Sequence, residues 1–168
     1  MKKHGVTLLV MSVFSIVQVN QEVALCMCKH LQDLGKIQNV PESVFTDDIH
    51  LRQILLNIIA NAVKFTESGH VAVILSKKQK RLIIEVEDTG IGIPEEDLDS
   101  IFDPFKQVHQ HAHGLSEGTG LGTSIAQRFV TLLDGDIRVC SKLGKGSIFC
   151  IDMPCEFQGK DVCYEKSM

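Results

Sequence analysis

Tryptophan is missing from this sequence and tyrosine occurs once, so eight phenylalanines supply most of its aromatic character. The hydrophobic share is nonetheless 44% and the charged share 23%, ordinary values for a folded soluble protein, which argues against disorder throughout. Positive charge is equally thin: the formal balance is −4, and the basic residues are scattered except for Lys77, Lys78, Lys80 and Arg81. Lacking a basic face, the chain is not expected to bind nucleic acid. Its one basic stretch falls between two alternating apolar segments and reads as a solvated hairpin turn rather than a docking patch.

Six cysteines are present, at 26, 28, 140, 150, 155 and 163, but no Cys-x-x-Cys pair and no Cys or His spacing suited to tetrahedral zinc. Reduced thiols are the expectation. Cys140 and Cys150 lie in apolar segments and are expected to behave as small hydrophobes, with Cys163 the most exposed. No long apolar run occurs either. Val6 to Val19 carries no charge and follows a basic start, yet it is too short to span a bilayer, is diluted by Thr7, Ser12, Ser15 and Gln18, and precedes no small-x-small cleavage site. It is expected to be a buried helix or strand, and no direct membrane insertion is expected.

With neither repeats nor low-complexity tracts, the 168 residues fit one domain, large enough to bury roughly two thirds of the unfolded surface. Residues 1–46 have a weak pattern that suits the domain itself or the end of a preceding one, and Pro41 is expected to mark a break. The informative region is 47–153, followed by a polar C-terminal tail, 154–168, of which Gln158 to Met168 is expected to fray. Leu51, Ile54, Leu55, Ile58, Ile59, Ala62 and Val63 recur at helical spacing after Asp47 and Asp48, which predicts a capped helix ending near Phe65. Val71 to Ser76 and Leu82 to Glu87 predict a hairpin, Pro94 a short helix through Phe102, and Thr123 to Leu133 a helix stopped by Gly135. Ile137 to Ser141 and Ser147 to Asp152 predict two more strands, joined by a Gly144 to Gly146 turn. Helices grouped with hairpins, rather than alternating with single strands, predict a two-layer α/β sandwich and not a doubly wound parallel sheet.

Three motifs within this frame carry chemistry. Projected at 100° per residue, Gln53, Asn57, Asn61 and Lys64 share a stripe beside the first helix's apolar face. An amide oxygen there is a hard neutral ligand suited to magnesium, and a lysine one turn on reaches toward phosphate. Asp88-Thr-Gly-Ile-Gly-Ile93 follows a strand: Gly90 and Gly92 free the backbone for close approach, and Asp88 offers a carboxylate that can accept an adenine amino hydrogen. Gly118-Thr119-Gly120-Leu121-Gly122 stands directly before a helix, where backbone N–H groups and the positive helix end can cradle phosphates. Each motif alone is common in solvated helix edges and turns. Their order, with Gly144-Lys-Gly-Ser147 after them, is what chance rarely produces.

Together with Phe102-x-x-Phe105, these segments resemble the asparagine, glycine-rich and phenylalanine boxes of sensor histidine kinases, over roughly Asp47 to Met153. The resemblance implies the Bergerat ATP-binding fold of Hsp90, DNA gyrase and MutL, a mixed sheet of about five strands on three helices. It implies ATP and magnesium as cofactors, with Asn61 on the metal, Asn57 and Lys64 facing the phosphates, Phe65 and Ile93 lining the pocket and Asp88 fixing adenine. Residues Phe102 to Gly118 would form a lid carrying Phe105, and Ser147 would sit near the carboxylate. The implied partners are a histidine-containing dimerisation domain and a response regulator receiver domain, and ATP use implies the cytoplasm, with a membrane-attached parent compatible.

Two departures from that pattern stand out. Thr123 occupies a position where this family often has leucine, and a hydroxyl suits a helix start. Further, none of the seven histidines, at 4, 30, 50, 70, 109, 111 and 113, is followed by an acid, so the catalytic phosphoacceptor histidine is absent from this sequence. His109, His111 and His113 alternate within the expected lid, but no carboxylate or cysteine partner repeats the spacing, which favours a polar loop over a metal site. Two rival functions share the motifs: an ATPase, which needs a general base where Asn57 offers only an amide, and a non-catalytic ATP-binding module, against which the intact motifs weigh.

Overall fold

The computed structural model describes residues 4–7, 36–107 and 119–164, with side chains over 44–107 and 119–157. Helix α1, Asp48–Lys64, begins where the Asp47 carboxylate accepts the His50 N–H at 3.1 Å, satisfying a donor that the first turn leaves free. That hydrogen bond, from the His50 backbone, holds the Asp47 carboxyl below its ordinary range. The seven apolar residues selected by helical spacing are all buried. Helix α2, Gly122–Leu132, runs beside α1, its Phe129 ring packed 4.7 Å from the His50 imidazole.

Among the described residues seven strands form one sheet: β1 (His4–Thr7), β2 (Lys36–Thr46), β3 (Val71–Lys78), β4 (Arg81–Asp88), β5 (Asp136–Lys142), β6 (Gly146–Pro154) and β7 (Glu156–Tyr164). Their order is β1-β2-β3-β4-β6-β5, with β7 also paired to β2. Only β2 and β3 are parallel, so the sheet is mixed. Alternate residues of β3 and β4 are buried, as a sheet with one covered face requires, and they join the α1 and α2 side chains in one core. The expected five-strand sandwich is the run β2-β3-β4-β6-β5, which β1 and β7 extend. The basic stretch brackets a hairpin turn: Lys77 and Lys78 end β3, Arg81 opens β4, and Gln79 and Lys80 are exposed between them, Gln79 with φ 57°.

Several local expectations are corrected. The polar tail does not fray through Tyr164 but pairs with β2 as β7, an edge strand whose polar residues suit its single partner; Cys155 and Phe157, at its start, pack on the core. Pro41 lies inside β2, where the ladder to β7 shifts register between Pro41 and Ser43, the kind of irregularity that accommodates proline in a strand. Pro94 stands before a 3₁₀ helix of only Glu95–Asp97, continued by separate turns closed by the Ser100 and Asp103 N–H groups, rather than a helix through Phe102. Cys140 is exposed, because β5 is the outer strand and Cys140 points away from the helices. Leu8 to Val19, most of the early apolar run, the His109/His111/His113 cluster and the Cys163 side chain lie outside the described residues.

Candidate nucleotide site

Asp88 ends β4 and is only 6% exposed. It lies opposite Ser147 of β6, which in turn lies opposite Ser141 of β5, so three polar residues form one row across adjacent strands. Burial pushes the Asp88 carboxyl above its ordinary range, opposed by hydrogen bonds from the Gly90 and Ser147 N–H groups and the Ser147 hydroxyl. The Gly90 N–H donates to Asp88 Oδ1 at 2.8 Å, and the Ile91 N–H to the Phe65 carbonyl at 3.1 Å, tying the loop to the end of α1. A Cβ on Gly90 would lie 2.2 Å from that carbonyl oxygen, so no larger residue fits. Gly92 adopts φ +70° against the Lys142 carbonyl, which sets the loop on the β5–β6 turn.

The other half of the site is where α2 begins. A Cβ on Gly122 would sit 3.6 Å from Asn61 Nδ2, 3.9 Å from Asn61 Oδ1 and 3.9 Å from Asn57 Cβ, so the Asn61 amide and the stem of Asn57 lie against the start of α2. Leu121 precedes the helix and contributes no capping side chain, so among the described residues the helix start has no side-chain cap. Gln53 Nε2 donates to Asn57 Oδ1 at 3.2 Å, while Asn57 Nδ2 is buried with no hydrogen-bond partner among the described residues. A buried donor without an acceptor is costly, and one beside a bare helix start is suited to an anion. Lys64 Nζ lies 5.2 Å from the Phe65 ring centroid, at the same end of α1 as the Gly90 loop.

Not every expected residue is brought in by its side chain. Phe105 is 72% exposed with φ 66°, and its contact with the glycine-rich segment is through the backbone, the Phe105 N–H donating to the Gly120 carbonyl at 3.0 Å. Thr119 is exposed, Leu121 half-buried, and Gly118 lies outside the described residues. Thr123 is not a cap: it stands one residue inside α2, and its hydroxyl donates to the Ile101 carbonyl at 2.6 Å, anchoring the helix to the segment after Pro94. Sequence reasoning missed Ser141, whose hydroxyl oxygen accepts the Ile93 N–H at 2.8 Å and lies 3.0 Å from Ser147 Oγ. The available signal was its place across the predicted hairpin from Ser147. Among the described residues no group of three or more His, Cys, Asp or Glu side chains could hold a metal.

The family whose model this chain matches is that of histidine kinase-, DNA gyrase B- and HSP90-like ATPases. Residues 46–156 match that family, and the chain belongs to it. Its similarity lies with sensor histidine kinases, whose ATP-binding catalytic domain this segment corresponds to. Aerobic respiration control sensor protein ArcB of Escherichia coli (strain K12) is 45% identical over 114 residues, 67% of this chain and 15% of ArcB. Hybrid signal transduction histidine kinase A of Dictyostelium discoideum is 39% identical over 156 residues, 82% of this chain and 7% of its own length. The crystal structure of full-length ShkA in complex with AMPPNP superposes with a TM-score of 0.76 at 26% identity, covering 95% of this chain and 33% of ShkA. The chain thus spans a small part of the curated relatives it matches.

Proposed function

We propose that this chain binds ATP with magnesium and presents the γ-phosphoryl group to a histidine on a separate dimerisation domain, from which a response regulator receiver domain is served. The observation that carries this reading is Asn57 Nδ2, buried and without a hydrogen-bond partner among the described residues, beside a start of α2 that no described side chain caps, a donor arrangement suited to phosphate oxygens. Asn57, Lys64 and the backbone of Gly118, Thr119, Gly120, Leu121 and Gly122 hold the phosphates, and Asn61 offers its amide oxygen to the metal. Bound magnesium supplies neutralisation of phosphate charge. Phe65, Ile93 and Phe105 bound the nucleotide, Gly90 and Gly92 admit it, and Asp88, steadied by Ser147, accepts from the adenine amino group.

With these groups catalysis reduces to positioning and charge stabilisation, and the attacking atom must come from elsewhere. Asn57 has no basic lone pair near neutral pH, so it cannot activate water, which weighs against a hydrolase. No helix among the described residues is long and apolar enough to cross a membrane, and dependence on ATP supports a cytoplasmic place for the domain. The chain alone, given γ-labelled ATP and magnesium, is expected to bind nucleotide without labelling itself, acid-labile phosphate arising only when a cognate dimerisation and histidine domain is added. Stoichiometric labelling of the chain alone, or steady phosphate release at several turnovers per minute, would overturn the proposal.

A further inference from the structure

Ser141 sits where three parts of the site meet. On one side it accepts the Ile93 N–H at 2.8 Å, holding the far end of the loop that starts at Asp88. Its oxygen also lies 2.8 Å from the Gly146 carbonyl and 3.0 Å from Ser147 Oγ. Proton accounting then fixes the direction of the network. The Gly146 carbonyl can only accept, so it takes the one Ser141 proton. Ser147 has one proton and two possible acceptors, Ser141 Oγ and the Asp88 carboxylate. The carboxylate wins, because hydrogen bonds to an ionised acceptor are about twice as strong as neutral ones. Ser141 therefore ties the Ile93 N–H to the Gly146 carbonyl, and Ser147, next in the chain after Gly146 and 3.0 Å from Ser141 Oγ, gives its own proton to Asp88 along the row that three strands align.

We infer that Ser141 is a specificity-determining positioning residue, selecting purines that carry a 6-amino group by holding Ser147 and Ile93 in register with the Asp88 carboxylate. The inference rests on the reading of Asp88 as the purine-binding carboxylate. Asp88 Oδ1 is already engaged by the Gly90 N–H, and Ser147 occupies further lone pairs through its N–H and hydroxyl. What stays available is an acceptor of fixed direction, and an amino group can donate to it where a guanine carbonyl cannot. Ser141 touches neither base nor phosphate in this scheme. It sets the angle of the acceptor relative to Ile93 and the loop that flanks the ring.

Calorimetric titration of the full chain with ATP and with purine riboside triphosphate, which has hydrogen in place of the amino group, separates the possibilities. Wild type is expected to prefer ATP. Ser141→Ala should lower ATP affinity roughly three- to tenfold while changing affinity for the analogue less than about twofold, as loss of one oriented hydrogen bond predicts. Ser141→Thr, which keeps the hydroxyl, should restore the preference. Ser141→Cys, of similar size but a poor donor and acceptor, should reproduce the alanine result and serves if alanine unfolds the hairpin. Equal weakening of both nucleotides, or of neither, would reduce Ser141 to a structural residue. Equal binding of the two nucleotides by wild type would instead overturn the reading of Asp88, and the inference with it.

Discussion

Replacing Gly90 by alanine tests the site at its tightest point. The added methyl would lie 2.2 Å from the Phe65 carbonyl oxygen and 2.9 Å from Asp88 Oδ1, where ordinary contacts need roughly 3.4 Å. Neither obstacle is a flexible chain end: one is the backbone at the end of α1, the other a buried carboxylate. The loop must therefore withdraw by about 1 Å, which breaks the Ile91 to Phe65 backbone hydrogen bond and the charge-assisted one from Gly90 to Asp88. At about 1 kcal/mol for the first and about 1.5 to 3 kcal/mol for the second, Gly90→Ala should cost about 2.5 to 4 kcal/mol. For a chain of this size that lowers the melting temperature by about 5 to 15 °C. Asp88 loses a donor that steadies its charged form, so ATP affinity should fall at least tenfold in the still-folded protein at low temperature. Thermal unfolding followed by circular dichroism, with calorimetric ATP titration at 10 °C or so, reads both effects. A variant that melts within about 1 °C of wild type and binds ATP equally well would refute the close-approach argument.

Further outcomes follow from other residues. Asn61→Ala should remove the magnesium-dependent part of ATP affinity while the fold persists, because Asn61 lies beside and not within the apolar core; equal magnesium dependence in the variant would exclude it from the metal. Asp88→Ala should weaken ATP binding roughly ten- to a hundredfold, and GTP should compete poorly with ATP on the wild type. Since burial raises the Asp88 carboxyl above 3.8, ATP affinity should decline as pH falls, beginning at a higher pH than an ordinary carboxylate gives, and Asp88→Asn should abolish that limb. The same shift has the opposite sign for folding: the buried charge costs stability above the raised pKa and the cost is relieved as pH falls through it. Asp47 behaves as the converse case, its lowered pKa contributing stability that is present above 3.8 and lost as pH falls through the folded value. Asp47→Ala should destabilise by about 1 kcal/mol at neutral pH through loss of the cap, measured by urea denaturation, and a change below about 0.3 kcal/mol would deny the cap that role.

The sequence alone determined the pieces whose causes are local. The α1 helix is readable because a 3.6-residue apolar period and a capping aspartate act within a few turns, and the four strands β3 to β6 because alternation and glycine turns act between neighbours. The ordered set of motifs identified the family for the same reason, each motif being a contiguous stretch. A polar segment with a distant partner was misread, since Gln158 to Tyr164 looks like a tail until β2 supplies its ladder, and Cys140, expected to act as a small hydrophobe, is exposed because β5 is the outermost strand. What tertiary structure decided is chiefly which residues meet. Gly122 faces Asn57 and Asn61 only because α2 packs on α1, and Ser141 joins Asp88 only because β6 lies between β4 and β5. Strand order and register between segments far apart in the chain are set by the burial of a shared core, an interaction that no local propensity encodes.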